Sequence, residues 1–427
     1  MRDYQKDPLA FAANCAQQGS MIPMRLFFYH CIFISDPALI EEVLVTQHPN
    51  CIKPFFLHWP FMRQLIGNGL LTSEGEFWRR QRRLAQPAFH RERIHEYALT
   101  MRDYTAQKIA SWQAGQMIDL HEEMMQLTLE IVAKTLFDAE VSDTAKEVGE
   151  LLAIILKPFE AQATIKWFLH NYLPTPVNRR FHRATQRLDE VIFKIINEHR
   201  TQPSNNDLLT MLLEARDEDG SQMTTKQLRD EVLTLFIAGH ETTALALTWT
   251  FYLLAQNPEV ESRLTDELKS VLGGRAPTAT DLPALKYAEK IMKEAIRLYP
   301  PVFAFGRETV TAFEIAGQQI SVKSQILIFP YVVHRDPRYF PDPEKFKPER
   351  WTEEFVRQLP RFAYLPFGGG PRACIGNSFA MTEALIILAT IAQQYRLKLE
   401  TQKLVKPTPS VSLRPEQEIK VIIENRV

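Results

Sequence analysis

The ten residues FGGGPRACIG, residues 367–376, combine side chains that could bind a metal. Three consecutive glycines allow the backbone to turn tightly and to approach a ligand closely. Cys374 follows them at the start of a predicted helix, where backbone N–H groups stabilise a thiolate. The sequence disfavours zinc, because neither a second cysteine nor a suitably spaced histidine accompanies Cys374. From the residues alone, Cys374 is either a thiolate ligand or a small buried apolar side chain.

A second polar group, AGHETT at residues 238–243, interrupts a long apolar run. Gly239 costs a helix interior about 1 kcal/mol relative to Ala, so we expect a close approach or a local distortion there. The His-Glu pair does not begin the zinc-protease motif H-E-x-x-H, because the second histidine is missing. The Thr242 hydroxyl either bonds back to the Ala238 carbonyl or takes part in chemistry.

Glu294 and Arg297 are spaced i,i+3, which places a carboxylate and a guanidinium on one face of the predicted helix KYAEKIMKEAIRLYP. This spacing by itself is weak evidence, because it recurs elsewhere in the chain and an exposed pair contributes little to stability. The order of the surrounding sequence is more informative. A double proline follows the pair, then predicted strands, and then FKPERW at residues 346–351.

The stretch EFWRRQRRLAQPAFHRER, residues 76–93, contains six arginines. On a helix, Trp78 and Arg82 share a face because they are spaced i,i+4. The arginines on other faces are Arg79, Arg80 and Arg83. They form either a solvated face or a positive surface for an acidic electron donor. The formal net charge of the whole chain is −1, so the cluster is local and the sequence argues against a nucleic-acid-binding protein.

The longest predicted helix, which carries AGHETT, begins after Thr224 and ends before Asn257-Pro258. Thr224 and Gln227 fit a capping box, and the asparagine-proline pair stops the helix. The run from Val232 to Leu254 is apolar on most faces, which predicts a helix buried in the centre of the protein. This element must position Thr242 and its neighbours.

Shorter elements predict a mainly α protein with a small β portion. Residues 21–34 predict strand structure, followed by a helix after Asp36-Pro37. FEIAGQQISVKSQILIFP alternates apolar and polar residues around an Ala-Gly turn, which predicts a hairpin or paired strands. Residues 335–351 are rich in proline and charge and predict an irregular segment. No repeat or linker divides the chain, so we expect one domain.

The four cysteines form no C-x-x-C pair, which indicates a reduced, intracellular protein. The most apolar early run, residues 21–34, carries Arg25 and His30 and is too short to span a bilayer. No signal peptide is recognisable. We therefore expect a cytoplasmic protein without an integral membrane segment.

The motifs and their order resemble the cytochromes P450. FGGGPRACIG fits F-x-x-G-x-R-x-C-x-G, and AGHETT fits A/G-G-x-D/E-T-T/S. EAIR and PERW fit the E-x-x-R and P-E-R-F/W of that family, and WRRQR fits its W-x-x-x-R. The resemblance covers essentially the whole chain from about Asp36 and implies a soluble bacterial type. It implies the cytochrome P450 fold in a single domain, residues 1–427, with haem b between the long central helix and the Cys-ligand loop.

The resemblance also implies a role for each motif residue. Cys374 would be the axial thiolate to haem iron, which favours O–O cleavage. Thr242 would be the oxygen-activating hydroxyl, with Glu241 as its proton source. The other haem-binding residues would be Trp78, Arg82, Ala238, Gly239, Arg307, Phe367, Gly368, Arg372 and Gly376. The buried network bracing the cysteine loop would be Glu294, Arg297 and Arg350.

By family position, an apolar and aromatic pocket would hold a hydrophobic small molecule. Its lining would comprise Phe55, Phe56, Trp59, Phe61, Ile237, Phe303, Ala304 and Phe305. Ordinary core packing is an alternative at least as good for any single one of them. Residues 157–172 would form the lid and entrance. Fatty acids and alkanes lead among the expected substrates, with terpenoids close behind.

The implied reaction is monooxygenation, in which one atom of O2 enters the substrate. No reductase domain is evident, so electrons from NAD(P)H would arrive through a separate ferredoxin or flavodoxin and its reductase. A peroxide-driven peroxygenase is an alternative, which the intact Glu241–Thr242 pair disfavours. A non-catalytic haem sensor is a second alternative, disfavoured because no signalling domain is recognisable.

Overall fold

The computed structural model describes residues 4, 6–26, 28–138, 147–152, 154–155, 175–201, 207–217 and 220–426, without the side chains of residues 60, 61 and 64. Two expectations lie outside this part of the chain, the side chain of Phe61 and the lid at residues 157–172. In the described ranges, no helix is long and apolar enough to cross a membrane.

The chain divides into two compact units. Unit 1 comprises Met1–Trp59, Glu289–Asn377 and Lys406–Glu416. Unit 2 comprises Pro60–Ala288, Ser378–Val405 and Gln417–Val427.

Most of the described residues are helical, as the sequence predicted. The α-helices with described bounds are α1 (Pro8–Gln18), α2 (Pro37–Glu41), α3 (Pro60–Ile66), α4 (Gly75–Ala85), α5 (Arg91–Ala110), α6 (Leu120–Phe137), α7 (Pro176–Thr201), α8 (Leu208–Glu214), α9 (Thr225–Gln256), α10 (Pro258–Leu272), α11 (Lys286–Leu298), α12 (Pro330–Val333), α13 (Glu353–Gln358) and α14 (Asn377–Gln394).

Twelve short strands carry the β structure of the described chain. They are β1 (Met21–Leu26), β2 (Tyr29–Ile34), β3 (Cys51–Ile52), β4 (Met117–Asp119), β5 (Phe305–Thr309), β6 (Phe313–Ile315), β7 (Gln318–Ile320), β8 (Gln325–Ile328), β9 (Tyr395–Leu399), β10 (Pro407–Pro409), β11 (Leu413–Pro415) and β12 (Lys420–Asn425). Unit 1 holds a five-stranded sheet in the order β1-β2-β8-β5-β3 and the pairs β6–β7 and β10–β11. Unit 2 holds a three-stranded sheet in the order β4-β12-β9.

The early strand prediction is confirmed in unit 1. β1 and β2 form an antiparallel pair in which Met21 lies opposite Ile34. The Asp36 side chain then accepts a hydrogen bond from the Ala38 N–H and starts α2. The predicted Ala-Gly turn joins β6 to β7, and both of its residues have positive φ.

The long helix α9 dominates unit 2. The predicted capping box is present, because the Thr224 and Gln227 side chains each bond the backbone N–H of the other. From Leu228 to Leu254 every residue is buried except Ile237, Ala238, Gly239 and Thr242. The predicted burial of this helix is therefore confirmed, and these four partly or fully exposed residues form one local opening on its surface, called the α9 opening.

Candidate active site

The loop that carries Cys374 lies in unit 1 and leaves this cysteine exposed. Cys374 is exposed, whereas the other three cysteines of the chain are buried. The Cys374 N–H donates to the Phe367 carbonyl at 2.9 Å, which closes the loop immediately before α14. The small-core-residue interpretation of Cys374 therefore does not fit its exposure.

Two glycines of this loop have backbone conformations that other residues rarely adopt. Gly368 has a φ of 68° and Gly370 a φ of 66°. A Cβ atom added to Gly370 would lie 2.0 Å from the Leu44 carbonyl oxygen, so the loop packs directly on neighbouring backbone. The glycine run therefore permits both the turn and the close packing that set the position of Cys374.

The predicted Glu–Arg–Arg contacts are present in unit 1. Glu294 is fully buried and accepts hydrogen bonds from Arg297 Nε and Nη2, both at 2.9 Å, and from Arg350 Nε at 2.8 Å. It also accepts from the Trp351 indole at 3.0 Å and from the Lys347 N–H at 3.0 Å. Five donors thus compensate one buried carboxylate, which is the condition under which a buried ion pair is tolerated.

His334, which the sequence reading missed, links this network to the cysteine loop. Arg297 Nη1 donates to the His334 carbonyl at 2.9 Å, and the Leu365 N–H donates to His334 Nε2 at 2.9 Å. Burial, followed by the charges of Arg297 and Arg335, lowers the pKa of His334 well below its usual value. The imidazole is therefore neutral and can accept at Nε2. No spacing rule marks this histidine, because its partner lies thirty-one positions away in the chain.

Two further cations of unit 1 are predicted haem-propionate ligands. Arg307 is buried on β5, where its Nη1 donates to the Gly306 carbonyl at 2.8 Å and its guanidinium lies 5.8 Å from the centre of the Phe305 ring. Arg372 is half-buried and precedes Cys374 by two residues. Buried or half-buried guanidinium groups of this kind bind carboxylates strongly.

Of the two predicted oxygen-activating residues of unit 2, Thr242 lies at the α9 opening and Glu241 precedes it in the chain. Ala238 and Thr242 are four residues apart and lie on one face, and the Thr242 hydroxyl donates to the Ala238 carbonyl at 2.8 Å. Glu241 is buried. The back-bond that the sequence allowed is present, and it leaves Thr242 partly exposed at the opening.

Gly239 has a packing reason to be glycine. An added Cβ would lie 3.2 Å from a methyl group of Val132 on α6, which is closer than an ordinary contact. α9 runs through this position as continuous α-helix. Of the two expectations for Gly239, the structure therefore shows the close approach.

The basic stretch of unit 2 separates by helix face, as its spacing predicted. Trp78 is buried on α4, and the half-buried Arg82 places its guanidinium 5.9 Å from the centre of the indole. Pro87 lies in a 3-10 turn, Gln86–Phe89, directly after α4. Trp78 and Arg82 can therefore act together on one ligand group.

The outer arginines are engaged within unit 2. Arg80 Nε donates to Asp217 at 2.6 Å, Arg83 pairs with the same carboxylate, and Arg79 pairs with Glu76. Asp217 thus offsets part of the positive charge of this face. The contacts favour a local stabilising role for Arg80 over a free docking surface.

The predicted pocket residues of unit 1 fall into two groups. Phe55 stacks on Tyr29 with ring centres 4.0 Å apart and lies 5.2 Å from the Trp59 ring, and Phe56 is exposed. Phe303, in contrast, is buried in a core cluster with Phe33 and Phe329 among others. Its contacts are those of core packing, the alternative considered for it.

Ala304 and Phe305 are partly buried against core clusters of unit 1. In unit 2, Ile237 is partly exposed beside Ala238 at the α9 opening. The lining role stays a prediction for these residues, and for Phe303 core packing is the contact that the structure shows.

A cavity of about 510 Å³ in unit 2 has no predicted site residue in its described lining. Its lining is largely polar and includes His199, Arg200 and Glu214. This chemistry does not suit the hydrophobic ligand that the motifs predict.

The thiol of Cys374 and the N–H groups of the predicted propionate-binding side chains are chemically suited to haem. Cys374 is an exposed thiol on a loop in which two glycines have positive φ, and a thiol of this kind suits an iron ligand. Within unit 1, Arg307 and Arg372 have the chemistry to bind a carboxylate, and within unit 2 Trp78 and Arg82 have it as well. Gly376 lies two residues after Cys374, in the turn immediately before α14.

Comparison with known proteins gives one consistent family. The family model described as "Cytochrome P450" matches residues 2–423. Cyclooctatin synthase from Streptomyces melanosporofaciens is 38% identical over 415 residues, 96% of this chain and 89% of that protein. Cyclooctat-9-en-7-ol 5-monooxygenase from the same organism is 36% identical, covering 92% of this chain and 85% of that protein.

A third relative, pentalenene oxygenase from Streptomyces avermitilis, is 34% identical over 94% of this chain and 89% of its own. Among solved structures, retinoic-acid-bound cyanobacterial CYP120A1 superposes with a TM-score of 0.87 at 26% identity. That match covers 97% of this chain and 94% of the other. The likeness confirms the predicted fold over nearly the full length.

Proposed function

This chain belongs to the cytochrome P450 family, and we propose that it uses a haem held by Cys374 to oxidise a terpenoid-like molecule. Its class, a monooxygenase acting on a hydrophobic compound, follows from the family and from relatives named as oxygenases. The observation that carries the site proposal is the exposed thiol of Cys374 at the end of a glycine-rich loop.

When bound, haem supplies the reductive activation of O2 that this family uses. The chain would hold it through the Cys374 thiolate, while Trp78, Arg82, Arg307 and Arg372 would neutralise its two carboxylates. The Glu294 network and His334 orient the loop through the Leu365 N–H. These residues therefore bind and position the group without taking part in proton transfer.

Proton delivery is assigned to Glu241 and Thr242. Glu241 is buried and precedes Thr242 at the α9 opening, and a carboxyl group is a suitable general acid. The Thr242 hydrogen is engaged with the Ala238 carbonyl, and it becomes available only when this hydrogen bond is exchanged. A hydroxyl in that position can accept a proton from the acid and donate one toward the opening.

For the substrate, the relatives favour terpenoids over fatty acids. Three relatives carry names that state cyclooctatin, cyclooctat-9-en-7-ol or pentalenene, all cyclic compounds of low polarity. Three aromatic residues, Phe55, Phe56 and Trp59, lie together. They would bind such a ligand by apolar surface contact rather than by hydrogen bonds. Electrons would come from NAD(P)H through a ferredoxin or a flavodoxin and its reductase.

The iron ligand can be tested by spectroscopy. Reduced holoprotein with carbon monoxide should give the Soret band of a thiolate-ligated haem, and Cys374→Ser should abolish that band. Cys15→Ala, at a buried cysteine, is the matched control and should keep it. A histidine-type spectrum from the folded wild type would contradict the assignment.

The substrate class needs a separate titration. Cyclic terpenes, terpenols, fatty acids and alkanes of similar size should be added to the oxidised holoprotein while its spin state is recorded. Terpenoids should give the largest low- to high-spin shift and should be turned over with NADPH, ferredoxin and ferredoxin reductase. A shift with fatty acids only would contradict the terpenoid proposal, and equal turnover with peroxide alone would favour a peroxygenase.

A further inference from the structure

Three consecutive ionisable residues of α9, Arg229, Asp230 and Glu231, are buried in unit 2, and neither the motifs nor the mechanism gives them a role. Buried groups of this kind are costly unless hydrogen bonds or opposite charges compensate them. Each of the three side chains bonds to the backbone of one short segment, residues 65–70, which lies 161 to 164 positions earlier in the chain. The three side chains and this segment are called the α9 clamp.

The two carboxyl groups of the clamp hold two amides of the segment. The Asn68 N–H donates to Asp230 Oδ2 at 2.9 Å, and the Leu70 N–H donates to Glu231 Oε2 at 3.0 Å. Backbone N–H groups that are packed against a helix need acceptors of this kind. Because neighbouring acceptors on α9 bind alternate amides, they fix the register of the segment as well as its position.

Arg229 holds the other end of the segment. Its Nη2 donates to the Leu65 carbonyl at 3.3 Å, one residue before α3 ends. The last carbonyls of a helix have no partner within the helix, so a side-chain donor there is favourable. The guanidinium is itself fixed, since Asp189 of α7 accepts from Nε at 2.8 Å and Asp230 accepts from Nη1 at 3.0 Å.

The segment approaches α9 at backbone distance. A Cβ atom added to Gly69 would lie 2.3 Å from Thr234 Oγ1 and 2.7 Å from the Asp230 carbonyl oxygen. A side chain at this position would push the segment away from the helix. The clamp therefore combines hydrogen bonds with direct packing of two backbones.

The clamp leads directly into α4. The Ser73 N–H donates to the Gly69 carbonyl at 2.9 Å, which closes a turn immediately after the clamped amides. α4 begins two residues later, at Gly75, and carries Trp78 and Arg82 at i,i+4 spacing. A shift of the clamped turn would therefore move the start of the helix that presents these two side chains.

We propose that Arg229, Asp230 and Glu231 are positioning residues that hold residues 65–70 on α9 and so set the direction in which α4 presents Trp78 and Arg82 to a haem propionate. This inference rests on the proposed function of Trp78 and Arg82 in binding haem. The clamp itself can be tested separately, through the two amides that it holds.

Hydrogen exchange of the Leu70 amide in the holoprotein tests the clamp. Glu231→Leu removes the acceptor and should speed this exchange roughly fivefold, as expected for one lost hydrogen bond. Glu231→Gln should keep the wild-type rate at pH 7. Burial raises the pKa of Glu231 to about 8, so glutamine there retains an acceptor without changing the charge of the largely neutral acid. Equal exchange in the wild type and Glu231→Leu would refute the clamp.

The positioning role can be read from the rate of haem transfer to apomyoglobin in a double-mutant cycle. Glu231→Leu should speed transfer roughly fivefold in the wild-type background, and Glu231→Gln should restore the slow rate. In a background with Trp78→Phe and Arg82→Leu, Glu231→Leu should have little further effect, because the side chains that it positions are gone. Equal fold-changes in the two backgrounds would overturn the positioning role.

Two further variants make the cycle decisive. Gly69→Ala displaces the turn without removing a buried acid, so it should show the same dependence on background even if Glu231→Leu folds poorly. Glu261→Leu is the matched control, because Glu261 is a buried acid of α10 that pairs with Arg396 at 3.1 Å and Arg426 at 2.6 Å. Any effect of Glu261→Leu on haem transfer should be the same in both backgrounds.

The outcomes distinguish this inference from the proposed function. If the Trp78 and Arg82 variants speed haem transfer but Glu231→Leu and Gly69→Ala do not, the proposed haem contacts stand and the positioning role is wrong. If the Trp78 and Arg82 variants leave haem transfer unchanged, the proposed haem contacts are wrong and the positioning role fails with them, whereas the result for the Leu70 amide still decides whether the clamp exists.

Discussion

Glu383 should impose a pH dependence on folding, because its carboxyl is protonated in the folded chain and ionised in the unfolded chain over a wide range. Burial raises its pKa from 4.5 to about 8. Between these values folding takes up a proton, so the free energy of unfolding falls as pH rises, by on the order of 1 kcal/mol per pH unit. Glu383→Gln should reduce this slope in urea titrations from pH 5 to 8. An unchanged slope would show that Glu383 ionises freely.

At the same scale, Thr242→Ala should uncouple electron consumption from product formation. The substitution removes the hydroxyl at the α9 opening but leaves the helix backbone and buried neighbours in place. Loss of one positioned proton donor predicts a fall in coupled turnover of roughly a hundredfold. Thr242→Ser keeps the hydroxyl and is the control. Equal product per NADPH in wild type and Thr242→Ala would remove the assigned role.

At the scale of elements, the contacts of Glu294 join α11 to the segment before α13. Glu294→Ala would leave the guanidinium groups of Arg297 and Arg350 buried without their carboxylate, at a cost of about 3–5 kcal/mol. We expect a lower unfolding midpoint and faster loss of haem to apomyoglobin. Glu354→Ala removes the acid of an exposed E-x-x-R on α13 and should change neither measurement.

The glycine loop gives a second prediction for an element. Gly370→Ala combines a positive φ with a Cβ 2.0 Å from the Leu44 carbonyl, so the loop must move. Gly274→Ala is the control, since its φ is 87° but no atom lies within 4 Å of the added Cβ. Both variants carry backbone strain of about 1–2 kcal/mol. Only Gly370→Ala should also shift the Soret band, and identical spectra would contradict a role of this packing in placing Cys374.

At the scale of the whole molecule, each unit is assembled from three separate stretches of chain. α11 and α14 each contribute residues to both units. A fragment of residues 60–288 would lack β12, which pairs with β4 in unit 2. Such interleaving predicts that no single stretch folds by itself.

Full-length holoprotein should therefore unfold in one cooperative transition by circular dichroism and by Soret absorbance. The midpoint should fall when haem is omitted, because a ligand of the folded state stabilises it. A fragment of residues 60–288 is expected to show no cooperative transition. Two separated transitions in the full chain would contradict the prediction of a single domain.

The local sequence was sufficient to predict the secondary-structure elements and to identify the motifs in their order along the chain. The capping box at Thr224, the cap at Asp36 and the Ala-Gly turn are recognisable because their hydrogen bonds join residues within a few positions. The cysteine loop and the central helix were identified for the same reason, since each motif lies within about ten consecutive residues.

Tertiary structure alone decided which polar groups are buried and what they contact. His334 accepts a hydrogen bond from the Leu365 N–H, and Phe303 packs in a core cluster with Phe33 and Phe329, so each contact links residues far apart in the chain. Glu383 is fully buried for the same reason. The exposure of Cys374, against the burial of the other cysteines, likewise has no local signature. Burial and its pKa shifts depend on what the whole fold brings around a side chain, whereas helix caps and turns depend only on neighbours in sequence.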